Sequence, residues 1–201
     1  MTPGSCTTGI HILLEELELI FQVQLVNLLN DDHKTDEYMT INPKSSIPML
    51  VTDEGKVITE FPAIAYWLAR AYPKANLLSD NLDDEVRIME VMEYVVGTIH
   101  MQGFARIFTT EKFTPHEADF DWVRQQGKDI IEQGFNVING LLEGHTYVVE
   151  NFSIADAALF YVEFWADRTA IPFPENCLRH FESMLQRFKV KQVLMEEGYT
   201  I

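Results

Sequence analysis

Cys6 is the residue of this chain best placed to do chemistry. It stands just before or at the start of a stretch in which Ile10, Leu13, Leu14 and Leu17 take the i, i+3, i+4, i+7 spacing of an amphipathic helix. A thiol at a helix N-terminus has its thiolate favoured, so the Cys6 pKa is expected to fall from its usual value of about 8.5. The residues that follow, Thr7-Thr8-Gly9, supply no resolving thiol of the Cys-x-x-Cys kind. That suits exchange through a mixed disulfide, or activation of a bound thiol, better than a dithiol reductase cycle. The plain alternative is a buried, inert small side chain. The second cysteine, Cys177, lies near Pro172 and Pro174 and reads as a small core or surface residue.

Two further positions carry chemistry-bearing residues. Glu60 and Phe61 sit where the spacing of Ile64, Trp67, Leu68 and Ala71 predicts another helix to begin. A helix start offers backbone N–H groups and a partial positive charge, a setting for a carboxylate, while an acid there also favours the helix dipole in its own right. His100 falls in the middle of a long helical pattern, where a histidine is as often a core or surface residue as a working one. The remaining histidines, His11, His33, His116, His145 and His180, show no metal-ligand spacing, so no metal site is expected.

The elements that would position these residues follow from periodicity. Phe21, Val23 and Leu25 alternate with Gln22 and Gln24, the period of a strand. A short helix is predicted near Asp36–Thr40, then a short buried strand at Ile47–Val51, a turn at Asp53-Glu54-Gly55-Lys56, and a return strand from Val57. Past a polar connection around residues 72–82, every long segment has a helical period. Ile88, Val91, Met92, Val95 and Ile99 form one stripe; Ile131, Phe135, Ile138 and Leu142 form another, with a break at Thr109–Pro115. Ser153 and Asp156 have capping-box spacing ahead of Ala157–Val162, which is apolar all round and so belongs in the centre of its domain. Pro172 and Pro174 end that helix, and two shorter helices should follow.

Length and charge narrow the function classes. The 201 residues allow one large domain or two small ones. A formal net charge of −16 argues against nucleic acid, whose binding leans on Lys and Arg, and against an anionic membrane surface. No apolar run approaches the roughly 20 residues that span a bilayer. The first residues lack the pattern of a signal peptide, and a cytoplasmic address is expected. In a reducing compartment the two cysteines are not expected to pair.

Four segments, in order along the chain, carry a resemblance. Thr2-Pro3-Gly4-Ser5-Cys6 leading into a helix resembles the start of bacterial beta-class glutathione transferases. Asn42-Pro43-Lys44-Ser45-Ser46-Ile47-Pro48-Met49-Leu50 resembles the family's Asn-Pro-Lys-Gly-x-Val-Pro-x-Leu segment. Thr59-Glu60-Phe61-Pro62-Ala63-Ile64 with Tyr66-Trp67-Leu68 resembles its acidic binding turn and following helix. Phe152-Ser153-Ile154-Ala155-Asp156 resembles its capping motif in the helical domain.

The resemblance implies a glutathione transferase fold: a thioredoxin-like domain over residues 1–73 and an all-helical domain over 82–201. It implies a cis peptide between Ile47 and Pro48, with the backbone of Ile47 left to pair with glutathione as a strand would. The γ-glutamyl carboxylate would meet the helix start at Phe61, and Glu60 its ammonium. Most relatives carry Ser where Phe61 stands, so one hydrogen bond fewer is expected, about 0.5–1.5 kcal/mol net. Cys6 would meet the glutathione sulfur, and His100 would face the same site, followed here by Met101 where relatives often have Lys. Lys34 is the expected partner of the glycyl carboxylate. Phe104, Phe108, Tyr161 and Trp165 are candidates for an apolar pocket, or for core. The family's first strand precedes Thr-Pro-Gly, so here that strand is expected to be truncated. The function implied is an enzyme that conjugates the co-substrate glutathione to a small apolar electrophile, or exchanges thiol and disulfide with it through Cys6. Isomerase or dehalogenase work on the same site is not distinguished from these. A homodimer is implied as well. The alternative is a non-catalytic binding or scaffold protein on the same fold, favoured by the short start, Phe61 and Met101.

Overall fold

The computed structural model describes residues 1–200. It divides into two compact units: Met1–Leu78 with the C-terminal stretch from Leu185 on, and Ser79–Met184. The resemblance implies one helical domain over 82–201; in the structure the stretch from Leu185 on, with the last helix, belongs to the same compact unit as the N-terminal residues, and Ile201 lies outside the described residues.

In the first unit, helix α1 (Thr7–Glu16) buries every residue from Thr7 to Leu14. It packs on α3 (Phe61–Ala71) and on α9 (Phe188–Glu196). Between them come the short helix α2 (Asp36–Ile41), capped by Thr35 Oγ1 accepting the Tyr38 N–H, and the hairpin β1 (Met49–Val51) and β2 (Val57–Thr59). The strands are antiparallel, with Met49 opposite Thr59 and Val51 opposite Val57. The turn closes through Gly55 N–H to Thr52 O (2.8 Å) and Thr52 N–H to Lys56 O (2.9 Å). The expected burial of this strand is corrected: Met49 and Leu50 are half-buried and Val51 is exposed.

The strand expected at Phe21–Leu25 does not form. Among the described residues the sheet has two strands, β1 and β2. Val26 N–H donates to Met1 O (2.9 Å) and the Met1 amino group to Gln24 O, the bonding of a parallel pair but for a single rung. Val23 and Leu25 stay exposed, so the alternation has no buried face to fix it as a strand.

Gly4 shows why this start needs its glycine. Its φ is +70°, and a Cβ there would lie 2.0 Å from the Tyr199 hydroxyl. The absence of a side chain lets the Gly4 N–H reach Glu197 Oε2 at 2.7 Å.

The second unit is helical. α4 (Leu82–Tyr94) is capped by Asn81 Oδ1 accepting from Asp83 and Asp84, and its first turn is acidic, as the helix dipole favours. It continues as a π-helical stretch, Val95–Phe104, and a last turn, α5 (Ala105–Phe108). Ile88, Val91, Met92, Val95 and Ile99 are all buried, as their stripe predicts. So are Ile131, Phe135 and Ile138 of α6 (Phe120–Leu141), and Leu142 just after it. α6 lies close along the π-helical stretch: a Cβ on Gly127 would come within 2.8 Å of the Gly103 carbonyl oxygen.

α7 (Ile154–Arg168) begins with the expected capping box and is buried from Ile154 through Ala166. α8 (Glu175–Gln186) follows Pro174 and packs Cys177, His180, Phe181 and Met184 inward. The core of this unit is not wholly apolar. His180 stands between Glu163 Oε2 (2.8 Å) and Asp156 Oδ1 (3.2 Å), with all three side chains fully buried. Asp156 also accepts from the backbone of Val148 and Ser153. Burial alone would lower the His180 pKa, but Glu163 and Asp156 more than reverse that and raise it to about 10. No helix among the described residues is long and apolar enough to cross a membrane.

Candidate active site

The first unit brings Cys6, Ile47, Pro48, Glu60 and Phe61 onto neighbouring elements. Cys6 is the residue that opens α1, and its Sγ–H points to the Ile47 carbonyl oxygen at 3.8 Å. The Ile47–Pro48 peptide is cis. The segment before it is held by side chains on its own backbone: the Tyr38 hydroxyl (2.6 Å) and the Asn42 amide (2.8 Å) both donate to Ser46 O.

Burial decides the state of Cys6. The side chain is 6% exposed, and burial pushes its thiol up to about 12, against the smaller helping effect of backbone N–H groups at the helix start. Glu60 is near enough to raise it further. The expected fall in pKa is therefore corrected: a thiolate shut away from water loses more solvation than the helix terminus returns. Cys177 is also pushed up by burial and by Glu163, so neither free cysteine is a ready thiolate.

Glu60 precedes the first turn of α3 with φ +73° and ψ 129°, a conformation that non-glycine residues seldom hold. Such strain is maintained where surrounding structure enforces it, and it is frequent at binding turns. The Glu60 carboxylate is exposed and bonds Lys44 Nζ at 2.7 Å. Lys44 lies within the Asn-Pro-Lys segment, yet the motif alone gives no reason to pair it with a residue sixteen positions on. Phe61 turns its ring into the core at 3% exposure, so its backbone N–H rather than its side chain is what this position can offer a ligand.

Lys34 lies in a turn tied to the same region through Ser45 Oγ, which donates to His33 O (2.7 Å). Its ammonium pairs with Asp31 at 2.8 Å.

His100 belongs to the second unit, within the π-helical stretch. Its Nδ1 is 3.2 Å from the Tyr161 hydroxyl, and its ring meets Trp165 edge-on at 4.8 Å. Burial lowers its pKa to about 4, so the imidazole is neutral at pH 7. Phe104 and Phe108 complete an aromatic cluster around Trp165, at 5.3 and 5.4 Å. Phe104, Tyr161 and Trp165 are buried; Phe108 is half exposed.

Comparison with known proteins bears on the family and the fold. Residues 4–71 match the family model for the glutathione S-transferase N-terminal domain. The chain is 31% identical over 206 aligned positions to glutathione S-transferase GstA of Escherichia coli O157:H7, covering 98% of this chain and 96% of that protein. Among solved structures, a glutathione transferase homologue from Sulfitobacter with bound glutathione superposes with a TM-score of 0.89 at 24% identity, over 99% of this chain and 97% of the other. A beta-class glutathione S-transferase of Sphingomonas chungbukensis gives 0.83 at 25% identity, over 100% and 98%. The fold is thus the glutathione transferase fold, a thioredoxin-like N-terminal part with an all-helical part. On the match along its whole length, the chain belongs to the glutathione S-transferase family of enzymes.

Proposed function

We propose that the chain conjugates glutathione, its co-substrate, to a small apolar electrophile, and that Cys6 acts as a hydrogen-bond donor rather than as the nucleophile. The single observation that carries this reading is a buried Cys6 thiol 3.8 Å from the carbonyl oxygen of Ile47, beside Pro48, where burial favours its protonated form. Glutathione would lie extended along Ile47–Pro48. Its γ-glutamyl carboxylate would meet the start of α3 at Phe61, and its ammonium the carboxylate of Glu60. Lys34 would exchange Asp31 for the glycyl carboxylate. Glutathione gives up its thiol proton to solvent water, and the Cys6 S–H turns from Ile47 O to the glutathione sulfur and stabilises the thiolate that remains. That thiolate attacks the electrophile, a carbon–sulfur bond forms, and the leaving group departs with its electron pair; Cys6 keeps its proton throughout.

His100 is proposed as a second catalytic residue on the family resemblance. Its neutral imidazole can accept or donate one hydrogen bond without adding charge. Phe104, Phe108, Tyr161 and Trp165 are proposed to receive the apolar electrophile. A homodimer is part of the reading, and sedimentation should give about twice the 23.2 kDa chain mass. So is a cytoplasmic, detoxifying role, which two free cysteines fit; cell fractionation tests the address.

The Glu60–Lys44 pair favours a second reading, a binding or scaffold protein whose ammonium site is filled by its own lysine. Retention on immobilised glutathione, with elution by free glutathione, followed by turnover of an aryl halide, separates the two. Retention with turnover supports the enzyme. Retention without turnover supports the binding protein, and failure to be retained removes the glutathione site itself.

A further inference from the structure

The two ends of the chain meet around His11 in the first unit. His11 Nδ1 is 3.1 Å from Glu197 Oε1. The other oxygen of Glu197 accepts the Gly4 N–H and the Thr8 hydroxyl, both at 2.7 Å. With Nδ1 engaged by this buried carboxylate, Nε2 is the ring nitrogen left for a further ligand. His11 is 3% exposed, and its Nε2 is buried with no hydrogen-bond partner among the described residues. Yet Glu196 Oε2 stands only 3.1 Å from it. The two atoms make no hydrogen bond to each other, and their spacing suits two ligands of one ion.

A shared cation resolves this contact. Glu15, one helical turn after His11 on α1, supplies a third donor: ligand atoms of His11, Glu15 and Glu196 all lie within 4.8 Å of one another. Two ligands bound to one tetrahedral zinc ion at about 2.0–2.1 Å stand about 3.3 Å apart, close to the spacing of His11 and Glu196. Gln192 Nε2 donates to Glu15 Oε2 and to Glu196 Oε1, both at 2.9 Å, and so orients the two carboxylates. Lys189 Nζ is 3.6 Å from Glu15 Oε2 and 3.9 Å from Glu18 Oε1, so Glu15 is the carboxylate of this group that it partly offsets.

We propose that His11, Glu15 and Glu196 form a binding site for a divalent ion of the zinc class, with Glu197 orienting the imidazole. One imidazole with two carboxylates suits Zn²⁺ better than Mg²⁺ or Ca²⁺, which take oxygen ligands. The Glu196 side chain is 46% exposed, which gives water access to a fourth position. The ion ties α9 to α1, the helix that Cys6 opens.

The test uses the full chain without a histidine tag, stripped by a chelator, then titrated with Co²⁺ as a visible probe and with Zn²⁺ in competition with a chromophoric chelator. One equivalent should bind with four-coordinate nitrogen and oxygen bands and without thiolate charge transfer. Zn²⁺ should raise the melting temperature in proportion to the logarithm of its concentration. Glu15→Gln and Glu196→Gln should keep the circular dichroism spectrum and lose the binding. Glu197→Gln should weaken it by about 10–100-fold. The proposal fails if no ion binds at micromolar free Zn²⁺, if Glu15→Gln and Glu196→Gln leave affinity unchanged, or if the Co²⁺ spectrum shows thiolate from either cysteine.

Discussion

The Cys6 thiol lies 3.8 Å from the carbonyl oxygen of Ile47, so the proposed sulfur-activating group and the proposed peptide-binding backbone touch each other in the free protein. A weak S–H donor resting on a carbonyl is easily recruited by a better acceptor, and a glutathione thiolate is one. A hydrogen bond to a charged group contributes about 1.5–3 kcal/mol. Cys6→Ala should therefore lower kcat/KM for conjugation by about 10–100-fold, and Cys6→Ser, which keeps a donor, should recover part of that loss. Equal rates for wild type and Cys6→Ala would remove Cys6 from the chemistry.

The same burial makes a prediction about reactivity. With its pKa pushed up to about 12, Cys6 should react slowly with iodoacetamide at neutral pH, and its rate should keep rising with pH through the alkaline range. A rate that levels off below pH 8 would show a thiolate already present, and would return Cys6 to the nucleophile's role.

Glu60 and Lys44 test ligand binding apart from stability. Both are more than half exposed, and an exposed pair contributes only about 0–1 kcal/mol. Glu60→Gln should leave the melting temperature nearly unchanged while raising KM for glutathione. Lys44→Met should spare stability too, and should lower KM if the lysine competes with the substrate's ammonium. A large fall in melting temperature with unchanged KM would make Glu60 structural.

These residues also show what the sequence makes legible. Ile47-Pro48, Glu60 and the Ser153–Asp156 capping box are local patterns, and local patterns survive in a linear reading. So do the stripes of α4 and α6, because burial follows a helical period whatever the partner. Cys6 shows the limit. Its position at a helix start is local, but its pKa depends on burial by elements far along the chain, and burial reversed the expected direction. Lys44 and Glu60 meet only because the hairpin folds between them. His11 and Glu15 are one turn apart on α1, but Glu196 and Glu197 come from the opposite end, so no spacing along the chain marks the four as a group. Phe21–Leu25 failed in the other direction: the alternation is present, but no buried face or ladder answers it.

His100 gives a pH signature. Its folded pKa is lowered to about 4 from 6.5, so it stays neutral while the unfolded chain takes up the proton. The stability it contributes is present above about pH 6.5 and is lost as pH falls toward 4. His100→Asn should flatten that part of the stability curve. In the pH–rate profile for conjugation, no inflection near 6.5 should come from His100, and one abolished by His100→Asn would contradict its neutral state.

His180 should act at the other end of the scale. Its side chain is fully buried between Glu163 and Asp156, and its folded pKa is raised from 6.5 to about 10. The protonated ring therefore contributes stability that is complete below about pH 6.5 and is lost as pH rises through about 10. Removing the ring leaves Asp156 and Glu163 buried without their cation, with Glu163 already raised to about 7 by burial, and breaking such a pair costs about 3–5 kcal/mol. His180→Gln should thus melt well below wild type at pH 7, and the gap should narrow toward pH 10, where the wild-type ring gives up its proton. Glu163→Gln makes the complementary test: the amide keeps a polar contact with His180 but removes one charge, so the alkaline loss of stability should begin at a lower pH. Chemical denaturation at several pH values measures both. If His180→Gln unfolds at wild-type denaturant concentrations, or if the difference between the two proteins does not change with pH, the buried cation is not what holds α7 to α8.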